Sequence, residues 1–348
     1  AAAASKPESA SGKRPGIIVI MTDQQTAAAM SYAGNPWVRT PAMDALAADG
    51  VRFTRAYCPF PLSGPCRASL VTGRMPFEVG AFDNAIRPND ADMRAGIGHR
   101  LAEAGYECLY AGKWHVPEVN LPDSGTGFRR ISKMDDPALA DACDAALREY
   151  DGSKPLFLVA SLLNPHESCE YGRNETLQYG ELAPFSTDEC PNLPANFMPS
   201  TYAAEALTLE HASSPRYHDT YTYTQDDWRR YLYAYYRLVE RVDREVGRIV
   251  GVLKARGLYD DSAIIFLSDH GDGVAAHGWN QKWNLQEEVV NVPLIVKAPE
   301  GAGLRGVRND EALSNVGLDL YATVCDYAGV APDPGRYRGR SLRPVAEG

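Results

Sequence analysis

Four short apolar runs in this 348-residue chain each stop abruptly at residues with reactive side chains. Gly16 to Thr22 (GIIVIMT) ends in Asp23-Gln24-Gln25, and Tyr106 to Ala111 ends in Gly112-Lys113-Trp114-His115. Pro155 to Leu163 (PLFLVASLL) ends in Asn164-Pro165-His166-Glu167, and Ala263 to Ser268 ends in Asp269-His270-Gly271. Continuous apolar runs of this length suit strands buried on both faces of a parallel sheet, which requires helices above and below it. Ligands of such open α/β sheets bind at the carboxyl ends of the strands. The four tips therefore converge on one crevice.

The intervening segments supply helices. Thr40-Pro41 reads as an N-cap and first helical residue, with Met43, Leu46 and Ala47 on one face and Gly50 as the stop. Val51 to Tyr57 is a further strand, and Ile97 to Ala104 is a short amphipathic helix closed by Gly105. Thr224 and Asp227 form a capping-box start. The helix behind them carries Leu232, Tyr235, Val239, Val242, Val246, Ile249 and Leu253 at spacings of three and four. Val292 to Ala298 reads as a strand and Leu318 to Ala328 as a helix. This alternation predicts an α/β fold with a mainly parallel sheet between helices. Residues 1–14 read as an unstructured tail or expression remnant, and 15–348 as one catalytic domain. Within it, residues 169–223 lose periodicity, an insertion of a length that usually shapes a pocket. Its Tyr171, Tyr179, Tyr202, Tyr217, Tyr221 and Tyr223 suit either stacking on sugar rings or packing of the loop. The Trp37, Asp83-Asn84 and Arg87 loops are expected to contribute to the same pocket.

The stretch Pro61 to Arg74 (PLSGPCRASLVTGR) places Ser63 at the mouth of a short apolar helix, because proline is tolerated in a first turn. Free N–H groups and the helix dipole favour anions there, and Arg67 follows one turn later. A capped surface helix fits the same letters, as a turn former fits any strand-end aspartate. Asp23, Gln24, Asp269 and His270 offer hard oxygen donors and one nitrogen, which suit Ca2+ or Mg2+ better than zinc. Net charge of −10 argues against non-specific nucleic-acid binding. No run approaches the roughly 18–20 apolar residues of a membrane span. The seven cysteines show no CxxC or zinc spacing, and Cys169 and Cys190 flank the insertion as a pair that could bridge.

Taken in order, these motifs resemble the type I, formylglycine-dependent sulfatases of the alkaline-phosphatase-like superfamily, in their serine form. SGPCRASLVTG follows the family's Cys/Ser-x-Pro-x-Arg…Thr-Gly signature. GKWH at 112–115, Pro-His at 165–166, Ser-Asp-His-Gly at 268–271 and the loop lysine Lys282 recur in the family's order. The likeness runs from about Gly16 to Leu342. It implies hydrolysis of a sulfate ester on a small molecule or glycan. Ser63 would be the precursor of formylglycine, whose hydrated form is the nucleophile. Arg67, Lys113 and Lys282 would neutralise charge, His166 with Lys282 would protonate the leaving oxygen, and His115 would accept a proton afterwards. Asp23, Gln24, Ser63, Asp269 and His270 would hold Ca2+, or Mg2+. A serine-type maturating enzyme, removal of a signal peptide and a periplasmic or extracellular location belong to the same implication.

The alternatives are phosphonate or phosphodiester hydrolysis within the superfamily, and a sulfated-glycan-binding protein with Ser63 unmodified. Gln24 stands where many members have a second aspartate, and His270 where asparagine is frequent. Most members continue into a small antiparallel C-terminal subdomain, which is expected to be absent or reduced here.

Overall fold

The computed structural model describes residues 14–116, 123–213, 220, 222–332 and 337–348. Residues 1–13 of the expected tail, and Tyr217 and Tyr221 of the insertion, lie outside the described residues. Eight strands form one sheet: β1 (Gly16–Asp23), β2 (Val51–Tyr57), β3 (Glu107–Gly112), β4 (Arg129–Arg130), β5 (Leu156–Pro165), β6 (Ser262–Ser268), β7 (Leu294–Lys297) and β8 (Val307–Asn315). Their order is β4-β3-β5-β1-β6-β7-β2-β8. The first five in this order are mutually parallel. Strand β7 runs antiparallel to both β6 and β2, and β8 is parallel to β2. Two antiparallel steps restore direction, so β2 points the same way as β1. The carboxyl ends of β1, β2, β3, β5 and β6 therefore share one edge.

Strand periodicity divides the core in two. Ile17, Val19 and Met21 face the helices Ser63–Thr72, Ile97–Glu103 and Val316–Ala328. Ile18 and Ile20 face Pro41–Ala48, Asp136–Glu149 and Gln225–Ala255. Burial decides the conformation of β5, whose Leu and Ala residues are good helix formers. Helix propensities differ by at most about 0.7 kcal/mol per ordinary residue. Full burial of an aliphatic side chain is worth about 1.5–3 kcal/mol, and all ten β5 residues are buried.

Three features depart from the sequence reading. Strands β4 and β8 were not expected: β4 has two exposed residues, and β8 is a largely exposed edge strand that carries Asn, Asp and Glu where a core strand has aliphatics. Thr40 occupies the N-cap position without capping. Asp243, from the Gln225–Ala255 helix, instead accepts the N–H groups of Ala42 and Met43 at 3.1 and 2.9 Å. Cys169 and Cys190 do not bridge, and all seven cysteines are free and buried. Cys169 Sγ lies 3.2 Å from the Gln24 amide, while Cys190 donates to the Ser186 carbonyl.

Asp136 does for β5 what Asp243 does for the Pro41–Ala48 helix. Its two oxygens accept the N–H groups of Leu163 and Asn164 at 2.6 and 2.9 Å, which fixes the strand end that carries His166. Burial pushes each of these carboxyls up to about 6, against the pull of the N–H donors. Between about pH 4 and 6 the folded chain thus binds protons at these groups that the unfolded chain releases. Their extra stabilisation is present at low pH and is lost as pH rises through 6. The stability difference between wild type and the Asp136→Asn/Asp243→Asn variant should fall from pH 4 to pH 7, by on the order of 1–3 kcal/mol per carboxylate. Urea denaturation at pH 4, 5.5 and 7 measures this, and a pH-independent difference would contradict it.

Candidate active site

Arg67 is the hub of the sheet edge. It lies one turn into the Ser63–Thr72 helix and is 1% exposed. Its Nε donates to Asp269 Oδ2 at 2.8 Å and its Nη2 to Asp23 Oδ2 at 2.9 Å. Nη1 donates to the Lys113 carbonyl and to Ser161 Oγ, both at 2.8 Å. One guanidinium thereby joins the ends of β1, β3, β5 and β6 to the helix that begins at Ser63. Lys113 Nζ adds an ion pair to Asp23 Oδ2 at 2.7 Å.

Asp23, Asp269 and His270 present one donor atom each, all within 4.8 Å of one another and fully buried. His270 Nε2 is 3.8 Å from Asp23 Oδ1 and from Asp269 Oδ1, and 2.9 Å from Ser63 Oγ. His270 Nδ1 lies 2.9 Å from the Gly271 carbonyl, which needs an N–H there and leaves the Nε2 lone pair facing the carboxylates. Two carboxylates, an imidazole nitrogen and a hydroxyl around one point fit a hard divalent cation. The charges agree. Burial alone would raise Asp23, but Lys113, His166, Arg67 and His270 together hold it well below the usual carboxylate range. Asp269 is pushed up to about 7, by burial first and then by the Asp23 charge. A cation between the two would relieve that crowding.

Gln24, expected among the metal ligands, turns elsewhere. Its backbone is left-handed (φ 68°), which directs the side chain away from the Asp23 cluster. Gln24 Nε2 donates to Asp272 Oδ2 at 2.7 Å, and Gln24 Oε1 accepts from Lys282 Nζ at 2.6 Å. Lys282 is 6% exposed, and among the described residues no carboxylate pairs with it. His166 is partly buried, with Nδ1 3.8 Å from Glu170 Oε2. Burial first, then Lys282 and Lys113, lower its basicity well below the ordinary value. His115 stands exposed at the rim in a left-handed conformation (φ 49°). Partial desolvation and then Lys113 press it down to about 3.

A serine with a histidine 2.9 Å away invites comparison with a hydrolase triad. His270 Nε2 does reach the Ser63 hydroxyl. Yet a carbonyl, not a carboxylate, orients this imidazole, and burial followed by Lys282 pulls it down to about 3. Such a base is far too weak to activate a hydroxyl near neutral pH.

The sequence reading also missed Asp272, fully buried two residues beyond His270. Asp272 accepts from Gln24 Nε2, from Tyr231 OH at 2.8 Å, and from the N–H groups of Val274 and Gln281 at 2.8 and 3.2 Å. It fixes which way the Gln24 amide faces, and so places its carbonyl on Lys282. Tyr235 OH, one turn beyond Tyr231, donates to the Gln24 carbonyl at 2.8 Å. A polar residue beside Asp269-His270 was the available signal for Asp272. Nothing in the sequence pointed from Tyr231 or Tyr235 to the site.

A mainly parallel sheet with this hard-donor cluster at its carboxyl edge agrees with the alkaline-phosphatase-like superfamily, to which comparison with known proteins assigns the chain. More narrowly, the sulfatase family model matches residues 15–330, and the chain belongs to that family. It is 27% identical to a Delta 4,5-hexuronate-2-O-sulfatase of Bacteroides thetaiotaomicron, over 97% of this chain and 72% of the relative. The structure of a 2-O GAG sulfatase superposes with a TM-score of 0.82 at 25% identity, over 96% of this chain and 74% of that one. The phosphonate monoester hydrolase of Agrobacterium radiobacter shares the fold, with a TM-score of 0.76 at 22% identity over 96% and 77%. The chain is thus a sulfatase spanning about three quarters of these relatives. Among the described residues no helix is long and apolar enough to cross a membrane.

Two outcomes test the geometry. Ca2+ or Mg2+ at about 100 times its dissociation constant should stabilise the fold by about 2.7 kcal/mol. That corresponds to a rise in Tm of several degrees, and Asp269→Asn should lose it; an equal rise in the variant would place the ion elsewhere. Asp272→Asn should lower kcat/KM by on the order of 10–100-fold while keeping the cation-induced rise in Tm. Loss of both together would mean that Asp272 only supports the fold.

Proposed function

We propose that the chain hydrolyses sulfate esters carried on carbohydrates, with position 63 as the nucleophile once its serine has become formylglycine. The observation that carries this reading is the position of Ser63. It begins a helix with its hydroxyl 2.9 Å from His270 and 3.5 Å from Asp23, in the cluster that Arg67 and Lys113 hold together, and that imidazole is a poor base for activating a plain serine. The carbohydrate part draws on the relatives, which include the hexuronate-2-O-sulfatase and an N-acetylglucosamine-6-O-sulfatase of Bacteroides thetaiotaomicron. A serine-type maturating enzyme and a location outside the cytoplasm belong to the same reading.

A hydrated formylglycine would supply an oxygen nucleophile, and Ca2+ or Mg2+ on Asp23, Asp269 and His270 would supply positive charge beside the sulfuryl oxygens. The remaining work falls to side chains already in place. Arg67 and Lys113 keep Asp23 ionised and aimed, so the donor set is pre-organised. The Lys282 ammonium rests on a neutral carbonyl, and its charge is available to an oxyanion. His166 is poorly basic in the free site because it is buried and because Lys282 and Lys113 lie near it. An arriving sulfate offsets those charges, favours the imidazolium and readies it to protonate the leaving oxygen. His115 is exposed at the rim, and a bound sulfate would offset the Lys113 charge that, after desolvation, lowers its basicity, so that it can accept the proton of the return step.

Conversion of Ser63 removes two hydrogens, so the intact mass should lie about 2 Da below that of the sequence, before hydration. Ser63→Ala should keep the fold and abolish turnover of 4-nitrophenyl sulfate. Wild-type-like turnover by that variant would remove Ser63 from the mechanism. Paired assays on an aryl sulfate and an aryl phosphodiester decide between sulfur and phosphorus chemistry, and a clear diesterase preference would overturn this reading.

A further inference from the structure

The chain that leaves His166 runs into an open groove of about 540 Å3. Among the described residues its lining includes Tyr171, Asn174, Glu181, Tyr223, Asp227 and Arg230. None of these belongs to the cluster around Ser63.

Two sets of contacts tie the groove to the leaving-group side. An ion-pair chain runs from the proton donor to the groove lip. His166 Nδ1 is 3.8 Å from Glu170, Glu170 is 3.4 Å from Arg173, and Arg173 is 2.7 Å from Glu175, which lines the groove. The groove and the active site also share walls. Ser168 and Cys169 contact Gln24 while Tyr171 lines the groove; Tyr231 reaches Asp272 while Arg230 lines the groove. Tyr223 OH fastens the two walls together by donating to the Gly172 carbonyl at 3.0 Å.

The lining selects among sugars. Among the described residues the lining carries the carboxylates of Glu175, Glu181 and Asp227; Arg173 pairs with Glu175, and the one lining guanidinium, that of Arg230, already donates to Thr187 Oγ1 and lies over the Phe185 ring, so the excess charge is negative. Juxtaposed like charges are costly, so a sulfated or carboxylated sugar is disfavoured. An uncharged pyranose meets the opposite situation. Its hydroxyls find carboxylate and amide acceptors, and its C–H face finds the apolar bodies of two tyrosines.

We propose that this groove is the subsite for an uncharged sugar joined to the sulfated residue on its leaving-group side. The preferred substrate is then an oligosaccharide with a neutral neighbour, rather than an isolated sulfated sugar or a run of anionic ones. The inference rests on the sulfatase reading with His166 on the leaving-group side.

The test compares monosulfated monosaccharides with the same sugars extended by galactose or by glucuronate. Galactose extension should lower KM about tenfold, equivalent to about 1.4 kcal/mol, and glucuronate extension should give no gain. Tyr171→Ala should bring the extended-to-monosaccharide ratio to about one, and Glu181→Gln should let the glucuronate-extended ester gain. Calorimetry on the inert Ser63→Ala protein reads the same preferences without turnover. Equal affinity for short and galactose-extended esters, or an equal Tyr171→Ala loss on both, would overturn the subsite. Failure of the sulfatase reading has a different signature: formylglycine present, yet no turnover even of 4-nitrophenyl sulfate.

Discussion

The buried guanidinium of Arg67 is the constraint on which the site depends. Burying an ion costs several kcal/mol even after relaxation, and removing one partner of a buried pair costs about 3–5 kcal/mol. Arg67 is tolerated because all three of its nitrogens are paired, with two carboxylates, one carbonyl and one hydroxyl from four strands or the residues that directly follow them. That requirement adds to the hydrogen bonding along the sheet in fixing these strands relative to each other, because Lys113 and Asp269 lie beyond the last ladder pairs while Ser161 belongs to them. Asp23 has two cations on it, whereas Asp269 has Arg67 and the N–H groups of Gln24 and His270. Asp269 remains crowded by its neighbour and holds a proton more readily than a carboxyl should. The fold accepts that unfavourable contact at the one place where a divalent cation would remove it, which is how pre-organisation for a ligand reduces the stability of the free protein.

A second concession lies in the segment that carries Lys282. Val274, Ala275, His277, Gln281 and Trp283 all adopt left-handed backbone conformations. Non-glycine residues in that region cost on the order of 1–3 kcal/mol each, and a β-branched residue such as Val274 is a marked outlier. Asp272 opposes this strain by gripping both ends of the segment through the N–H groups of Val274 and Gln281. Trp279 assists, buried and donating its indole N–H to the Lys282 carbonyl at 3.2 Å. The result is a buried ammonium held against a neutral amide, a position that an unstrained loop lysine would leave for solvent.

Much of this was legible in the sequence because the strands are buried on both faces and stop sharply. Apolar runs that terminate in Asp23, Lys113, His166 and Asp269 identify the edge of the sheet without any knowledge of pairing order. The illegible parts share a different cause. Edge strand β8 has only one buried residue among its nine, so its composition answers to water rather than to a core. The Pro41–Ala48 helix is capped from a helix about 200 residues away, and local spacing cannot encode that. Gln24 follows Asp23 directly and reads as its fellow ligand, but a single left-handed φ sends it to Asp272 instead. Lys282 carries no local signature at all. Its place follows from a strained loop whose anchor sits ten residues upstream.

Ser63 itself contributes little to holding these parts together. Its hydroxyl makes one short contact, to His270, while Arg67, Lys113 and the two aspartates carry the cluster. The contacts that hold the Asp23, Asp269 and Arg67 cluster therefore do not depend on whether residue 63 is modified. Catalysis does not share that independence. Among the described residues the imidazole within reach of the hydroxyl is that of His270, which is pulled down to about 3, and its Nδ1 faces a carbonyl rather than a carboxylate. Raising that basicity by several units would require a solvated ring or an acidic partner, and either would dismantle the donor geometry beside Asp23 and Asp269. The same imidazole cannot serve as a cation ligand and as a strong base for serine. On the formylglycine reading, the chain resolves this conflict by changing the nucleophile and leaving its histidine alone, so its activity is set by a covalent step that folding does not supply.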